Sequence, residues 1–151
     1  DRQALVLFLT QLPQHDLADA GVELPPVRDF VRRIDDAGVA RLAELHAQMA
    51  ATPDKAERQR LNFEFHRTIN TAAGSKRINS MLRMLSKSLP MPYVDFPDEW
   101  LHDAGSQHQG IVDAFNRRDA LAAQRAMQQH ISASGSHAVD VLRSMRFFDE
   151  D

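Results

Sequence analysis

The chain has 151 residues, a formal net charge of −3 and no cysteine, and 43% of its residues are hydrophobic. This length and composition are typical of one globular domain and exclude a disordered chain, a disulfide framework and a thiolate metal site. The negative charge argues against nucleic-acid binding by this chain alone, and no apolar run approaches the roughly 18 residues of a membrane span.

The first third of the chain is predicted to form three helices. A short apolar helix covers about residues 2–12, and a second runs from about 25 to 37, opening on two prolines that suit a first helical turn. Gly38 is predicted to break this second helix. A third helix follows, because apolar residues recur there at three- and four-residue spacing. These residues are Val39, Leu42, Leu45 and Met49.

The middle of the chain is predicted to hold two further helices. Thr52 and Pro53 have the chemistry of an N-cap and a first-turn proline, and Gly74 suits the end of that helix. Another amphipathic helix is expected over about residues 76–89. Three prolines within residues 90–97 then favour an extended connection.

The last part of the chain is predicted to form two helices. Ser106 is the expected cap of a helix that carries Ile111, Val112 and Phe115. Asp119 is the expected cap of a final helix that extends to about residue 145. Since no segment alternates as a strand does, the sequence predicts an all-α bundle.

Three of the seven histidines fall on apolar helix faces. His66 lies one turn after Asn62, so the two side chains share a face, and His108 lies one turn before Ile111. His130 belongs to a predicted core stripe on the last helix. The other members of that stripe are Ala123, Met127, Ile131, Ser134, Ala138 and Val141.

A single core histidine is usually a structural residue with a local hydrogen-bond partner. Three in one small bundle are harder to explain in this way, because buried imidazole nitrogens need partners and neutral imidazole is a common metal ligand. Spacing alone therefore leaves both a structural role and a shared divalent metal open. The remaining four histidines are interpreted as surface or structural residues, with His137 the nearest to the site. They are His15, His46, His102 and His137.

Two stretches carry a resemblance to a known family. Residues 62–75, NFEFHRTINTAAGS, resemble a D/N-x-x-F-H-x-x-I…A-x-G-N pattern, and residues 108–131, HQGIVDAFNRRDALAAQRAMQQHI, resemble H-x-x-I-x-x-A-I-x-x-x-D…A…M-x-x-H-I. Both patterns are those of the FCD domain, the C-terminal ligand-binding domain of the FadR subfamily of GntR-type transcription regulators. The resemblance covers about residues 40–145. Its most specific feature is the 22-residue step from His108 to His130.

The resemblance implies an antiparallel bundle of six or seven helices with a metal site in the core. It assigns a divalent transition metal, such as zinc or nickel, to Asn62, His66, His108 and His130. Asn62 stands where Asp is more common in the family, and a neutral amide oxygen is a poorer ligand for a hard cation than a carboxylate. Weaker metal binding is therefore expected here.

The resemblance also implies that an open metal position accepts the carboxylate of a small organic acid. Asn70 and Arg77 are candidates for hydrogen bonding that acid, although each also fits a solvated surface side chain. Two alternatives remain open. One is a helical-bundle metalloenzyme similar to DinB-like hydrolases or thiol transferases, and the other is a regulatory bundle that binds its effector without a metal.

The expected role is therefore effector sensing by a single domain over residues 1–151, in a cytoplasmic homodimer without catalytic activity. Nothing in residues 1–40 resembles a helix-turn-helix, and the chain does not begin with methionine. The interpretation places the DNA-binding winged helix-turn-helix of the family before residue 1, in a longer parent protein. Effector binding would then shift the population of dimer geometries.

Overall fold

The computed structural model describes residues 31–72, 98–144 and 146, and within these residues it is helical with no strand. The prediction of an all-α fold is confirmed for this part of the chain, whereas the count of six or seven helices stays a prediction. None of the described helices is both long enough and apolar enough to cross a membrane. The four complete helices are α1, Asp36–Ala51; α2, Lys55–Ala72; α3, Asp98–Asn116; and α4, Ala120–Ser144.

The helices pack as two hairpins that share one core. Short connections join α1 to α2 and α3 to α4, and α1 also packs against α3. The predicted stripe of α1 is confirmed, since Val39, Leu42, Leu45 and Met49 are all buried. The largest fully buried apolar side chains are Phe65, Phe115, Leu42, Leu45, Leu61, Ile69, Ile111, Val31 and Val139.

The predicted break at Gly38 is wrong. Residues 31–33 are helical, and α1 begins at Asp36, so Gly38 lies inside the first turn of α1. The Asp35 carboxylate caps this turn by accepting a hydrogen bond from the Gly38 N–H at 2.8 Å. A Cβ at Gly38 would lie 2.6 Å from the Cγ1 atom of Ile34, so a close contact accounts for the glycine.

The predicted start of the next helix is wrong by two residues. Thr52 is extended and forms the C-cap of α1, with its N–H donating to the Gln48 carbonyl. Asp54 caps α2 instead, because its carboxylate accepts from the Ala56 N–H at 2.9 Å. A carboxylate serves this position as well as a hydroxyl does, and the sequence TPD offers both.

The predictions for the last two helices have mixed outcomes. Asp119 caps α4, since its carboxylate accepts from the N–H groups of Leu121 and Ala122 at 3.1 and 3.0 Å. Ser106 is not a cap, because α3 already begins at Asp98. Ile131 does not belong to the core stripe of α4, since 49% of it is exposed.

Arg118 shapes the turn between α3 and α4. Its φ of 54° is left-handed, and the Arg118 and Asp119 N–H groups donate to the carbonyls of Phe115 and Ala114, both at 3.0 Å. This pair of bonds is a Schellman motif, which usually places glycine at the left-handed position. Arginine occupies it here, and its guanidinium reaches back across the bundle.

That guanidinium ties the turn to the chain that leads into α1. It donates to the carbonyl of Ile34 at 2.5 Å and to that of Val31 at 3.3 Å, and it pairs with the Asp36 carboxylate. The two carbonyls belong to residues 31–34 just before α1, of which residues 31–33 are helical. Arg118 therefore links this segment to the α3–α4 hairpin.

Several predicted elements lie outside the described residues. They are the helix over 2–12, most of the helix over 25–37, the end at Gly74, the helix over 76–89, the proline-rich connection and residue 145.

Replacement of Arg118 should separate the contribution of its guanidinium hydrogen bonds from the cost of its left-handed backbone. Arg118→Ala should lower the free energy of unfolding by about 1–2 kcal/mol, since it removes charge-assisted bonds and keeps the left-handed strain. Arg118→Gly should cost less, because glycine adopts this φ without strain. Urea unfolding of both variants checks the order, and a glycine variant less stable than the alanine variant would contradict it.

Candidate metal centre

Three histidines from three different helices meet in the core. His66 lies on α2, His108 on α3 and His130 on α4, and one ring nitrogen from each lies within 4.8 Å of the other two. The Nε2 atoms of His66 and His130 are 3.2 Å apart. This is the arrangement that the sequence predicted for these three residues.

The rings pack closely against one another. Their centroids are 5.1 Å apart for His66 and His130, 5.4 Å for His66 and His108, and 4.5 Å for His108 and His130. Phe65 closes the site, with its ring 4.6 Å from the His108 ring and 5.6 Å from the His66 ring. The Phe65 ring therefore forms one wall of the cluster, in which His108 and His130 are buried and His66 is half-buried.

This enclosure controls the charge of the histidines. Burial, and to a smaller extent the neighbouring His130 ring, lowers the pKa of His66 to about 3. Burial also lowers the pKa of His108 to about 2, with added effects from His66, His130 and His46, and it lowers the pKa of His130 to about 4. All three rings are thus neutral near pH 7, the form in which imidazole binds metals.

The donor set fits a divalent transition metal. Two imidazole nitrogens bound to one tetrahedral zinc ion at 2.0–2.1 Å lie about 3.3 Å apart, close to the separation of the His66 and His130 Nε2 atoms. The ligand nitrogens of all three histidines lie within 4.8 Å of one another. Rotation of the side chains can bring them to the shorter separation that a tetrahedral ion needs. The buried Nε2 atom of His108 has no hydrogen-bond partner in the described part of the chain, so it is available as a ligand atom.

The other predicted site residues lie on or beyond α2. Asn62 and Asn70 are half-buried on α2, one turn before and one turn after His66. Their positions agree with the predicted shared helix face, but the roles assigned to them stay predictions. Arg77 lies outside the described residues.

Two residues near the cluster were not singled out from the sequence. Gln107 on α3 places its Oε1 atom 3.0 Å from the Nδ1 atom of His130. His46 on α1 is half-buried, its Nδ1 atom is enclosed, and its charge would be felt by His108. The spacing of His46 from Leu42 and Met49 was a usable signal, because these three positions share a helix face. No sequence signal pointed to Gln107.

Two carboxylates of the motif stretches, Glu64 and Asp113, have hydrogen-bonding partners away from the cluster. Glu64 is paired with Arg67 at 3.1 Å, and Asp113 accepts a hydrogen bond from Gln109 at 2.7 Å. Both side chains therefore have partners on their own helices.

A surface recess among the described residues is separate from the cluster. It has a volume of about 410 Å³ and lies between the start of α1 and the end of α2. Its lining carries charges of both signs and none of the three histidines. The lining residues are Arg33, Ile34, Asp35, Gly38, Glu64, Arg67, Thr68, Thr71 and Ala72.

Comparison with known families decides the classification. The family model of the FCD domain matches residues 20–133, which include all three histidines and both motif stretches. The chain belongs to the FCD domain family. FCD is the C-terminal domain of GntR/FadR-type regulators, a ligand-binding and regulatory domain. No curated protein sequence and no solved structure matches the chain.

In the metal-free FCD domain, the free energy of unfolding should fall as the pH decreases from about 6.5 towards about 4. The unfolded histidines bind protons in this range, whereas the folded cluster stays neutral because its pKa values lie at about 2 to about 4. Urea unfolding in chelator at a series of pH values measures this slope. In a His108→Leu variant the free energy of unfolding should depend less steeply on pH. An equal dependence in the two proteins would contradict the assignment of His108 to the buried, neutral cluster.

Proposed function

We propose that this FCD domain is the metal-dependent effector sensor of a GntR/FadR-type transcription regulator. The observation that carries the proposal is the enclosed cluster of His66, His108 and His130 within an FCD domain. In this proposal the domain acts in the cytoplasm as part of a homodimer. A winged helix-turn-helix elsewhere in the parent protein binds the DNA.

Four side chains would hold the metal. The three histidines supply neutral nitrogen donors, and Asn62 would supply an amide oxygen from the position one turn before His66. Three imidazoles favour zinc, nickel or a similar divalent ion over magnesium or calcium, which prefer oxygen ligands. A metal held in this way keeps open positions that can accept an anionic oxygen.

The proposed effector is a small organic acid whose carboxylate occupies such an open position. Asn70 is suited to hydrogen bonding the acid, since it is half-buried one turn after His66 on the same helix. Arg77 would pair with the acid as a second, charged donor. The assignment of Asn70 follows from its position one turn after His66, and that of Arg77 from its place beside the apolar face of the helix predicted over residues 76–89.

Sensing is favoured over catalysis at this site. A metal-bound water needs a general base in the correct position, and the two carboxylates next to the motif residues, Glu64 and Asp113, are paired elsewhere. The FCD family is regulatory, and no enzyme family matched the chain. The DinB-like alternative therefore has no specific observation in its favour.

The structure also suggests how the metal site could influence the rest of a regulator. His108 and His130 lie on the two helices of one hairpin, and Arg118 in its turn binds the backbone that leads into α1. A change in the angle between α3 and α4 would thus reach residues 31–36 directly. We propose this connection as the physical route from effector to upstream domain.

Metal content tests the proposal. The purified domain should bind about one zinc or nickel ion per chain, and the double variant His108→Ala, His130→Ala should bind none tightly, because it lacks two of three nitrogen ligands. A His137→Ala variant is the matched control, since His137 lies two turns after His130 on α4. Elemental analysis after dialysis gives the content. Equal metal in the wild type and the double variant would overturn the proposal.

Effector dependence needs its own measurement. Calorimetry with a panel of small carboxylic acids should show tighter binding to the metal-loaded domain than to the chelated domain. Undiminished affinity after removal of the metal would favour the metal-free regulatory alternative. Metal-dependent turnover of an ester or amide would favour the enzyme.

Substitution of Asn62 tests the fourth ligand. Asn62→Asp should tighten metal binding, because a carboxylate is a stronger donor than an amide oxygen, and Asn62→Leu should weaken it. Competition with a chromophoric chelator measures both changes. If neither variant differs from the wild type, Asn62 is not a ligand.

A further inference from the structure

The hydrogen bond between Gln107 and His130 connects two adjacent helices at the metal centre. Gln107 precedes His108 on α3, and its Oε1 atom lies 3.0 Å from the Nδ1 atom of His130 on α4. Successive residues of a helix diverge by about 100°, so Gln107 and His108 approach His130 from different sides. Gln107 thus bonds to His130, while the next residue of α3, His108, is itself a member of the cluster.

The identity of the atoms in this contact determines which nitrogen of His130 carries the hydrogen. An amide oxygen only accepts hydrogen bonds, so the Nδ1 atom of His130 must be the donor. The Nε2 atom then has a free lone pair, and it faces the Nε2 atom of His66 at 3.2 Å. A lone pair at this atom is the requirement for binding a metal.

We infer that Gln107 is a positioning residue that holds His130 in the Nδ1–H tautomer and so keeps its Nε2 atom ready for the metal. This inference rests on the proposed function. Ring nitrogens that bind metals commonly depend on such a partner at the opposite nitrogen, and its loss typically weakens metal affinity about 10- to 100-fold. In this role Gln107 acts through His130 and is not itself a ligand of the metal.

The same geometry assigns the tautomer of His66. In the metal-free domain the Nε2 atom of His130 accepts, so the Nε2 atom of His66 must donate its hydrogen across the 3.2 Å contact. If the Nε2 atom of His66 held the metal, His66 would release this hydrogen to water and take one up from water at Nδ1, with no change in net charge. His66 therefore changes tautomer when the metal binds, whereas His130 does not.

Two variants of nearly equal size isolate the hydrogen bond. Gln107→Glu keeps an acceptor that cannot donate when ionised, and Gln107→Met keeps the length of the side chain without a strong acceptor. Zinc affinity, measured by competition with a chelator, should be retained or increased in the Glu variant and reduced about 10- to 100-fold in the Met variant. Gln109→Met is the matched control, because Gln109 is exposed on the same helix and bonds to Asp113.

Nitrogen NMR of the imidazole rings supplies a readout that a merely structural role would not change. Long-range proton–nitrogen spectra of the metal-free domain should show His130 protonated at Nδ1 and His66 at Nε2. Of these two hydrogens, zinc should move only that of His66, from Nε2 to Nδ1. In the Met variant the His130 signal should become a mixture of tautomers, whereas in the Gln109→Met control the His130 hydrogen should stay at Nδ1.

The outcomes separate this inference from the function on which it rests. If the wild type binds no zinc, the proposed function is wrong, and so is the purpose assigned to Gln107. If the wild type binds zinc and the Met variant binds it equally well, the inference about Gln107 alone is overturned. A Glu variant that loses as much affinity as the Met variant would also overturn it, because the amide N–H would then be the group that matters.

Discussion

Three neutral imidazole rings enclosed in one apolar interior form the constraint on which the described structure depends. Each buried nitrogen needs a partner, and one left without a partner costs about 1–3 kcal/mol. The contacts among the rings and Gln107 satisfy part of this need, while the Nε2 atom of His108 remains unsatisfied. A shared divalent ion would satisfy all three rings at once. The proposed metal would therefore stabilise the domain and join α2, α3 and α4.

In the proposed function, the position of the histidine cluster in the fold would let metal and effector binding affect a distant part of the chain. Two of its rings lie on the α3–α4 hairpin, and the turn of that hairpin is fixed by the Schellman motif at Arg118. The guanidinium of Arg118 then binds the backbone just before α1. In the proposed function, an ion held by His108 and His130 would thus be connected through the α3–α4 hairpin and Arg118 to the chain that leads into α1.

The sequence was sufficient where one physical rule dominated. Apolar spacing identified the buried stripe of α1, and the 22-residue step placed His108 and His130 on neighbouring helices. The sequence did not identify the N-cap of α2, because Thr52 and Asp54 both have side chains that can cap a helix. It also failed at Gly38, where the reason for glycine is contact with the Ile34 side chain, and at Gln107, whose partner lies 23 residues away on another helix.

The central claim is that one divalent metal lies among His66, His108 and His130. Anomalous diffraction from crystals of the purified domain, measured above and below the zinc and nickel absorption edges, tests it most directly. The predicted result is a single strong anomalous peak within bonding distance of one nitrogen from each of the three rings, about 2.0–2.1 Å for zinc. Rings that remain hydrogen-bonded to one another, with no anomalous peak between them after growth in excess metal, would contradict the claim.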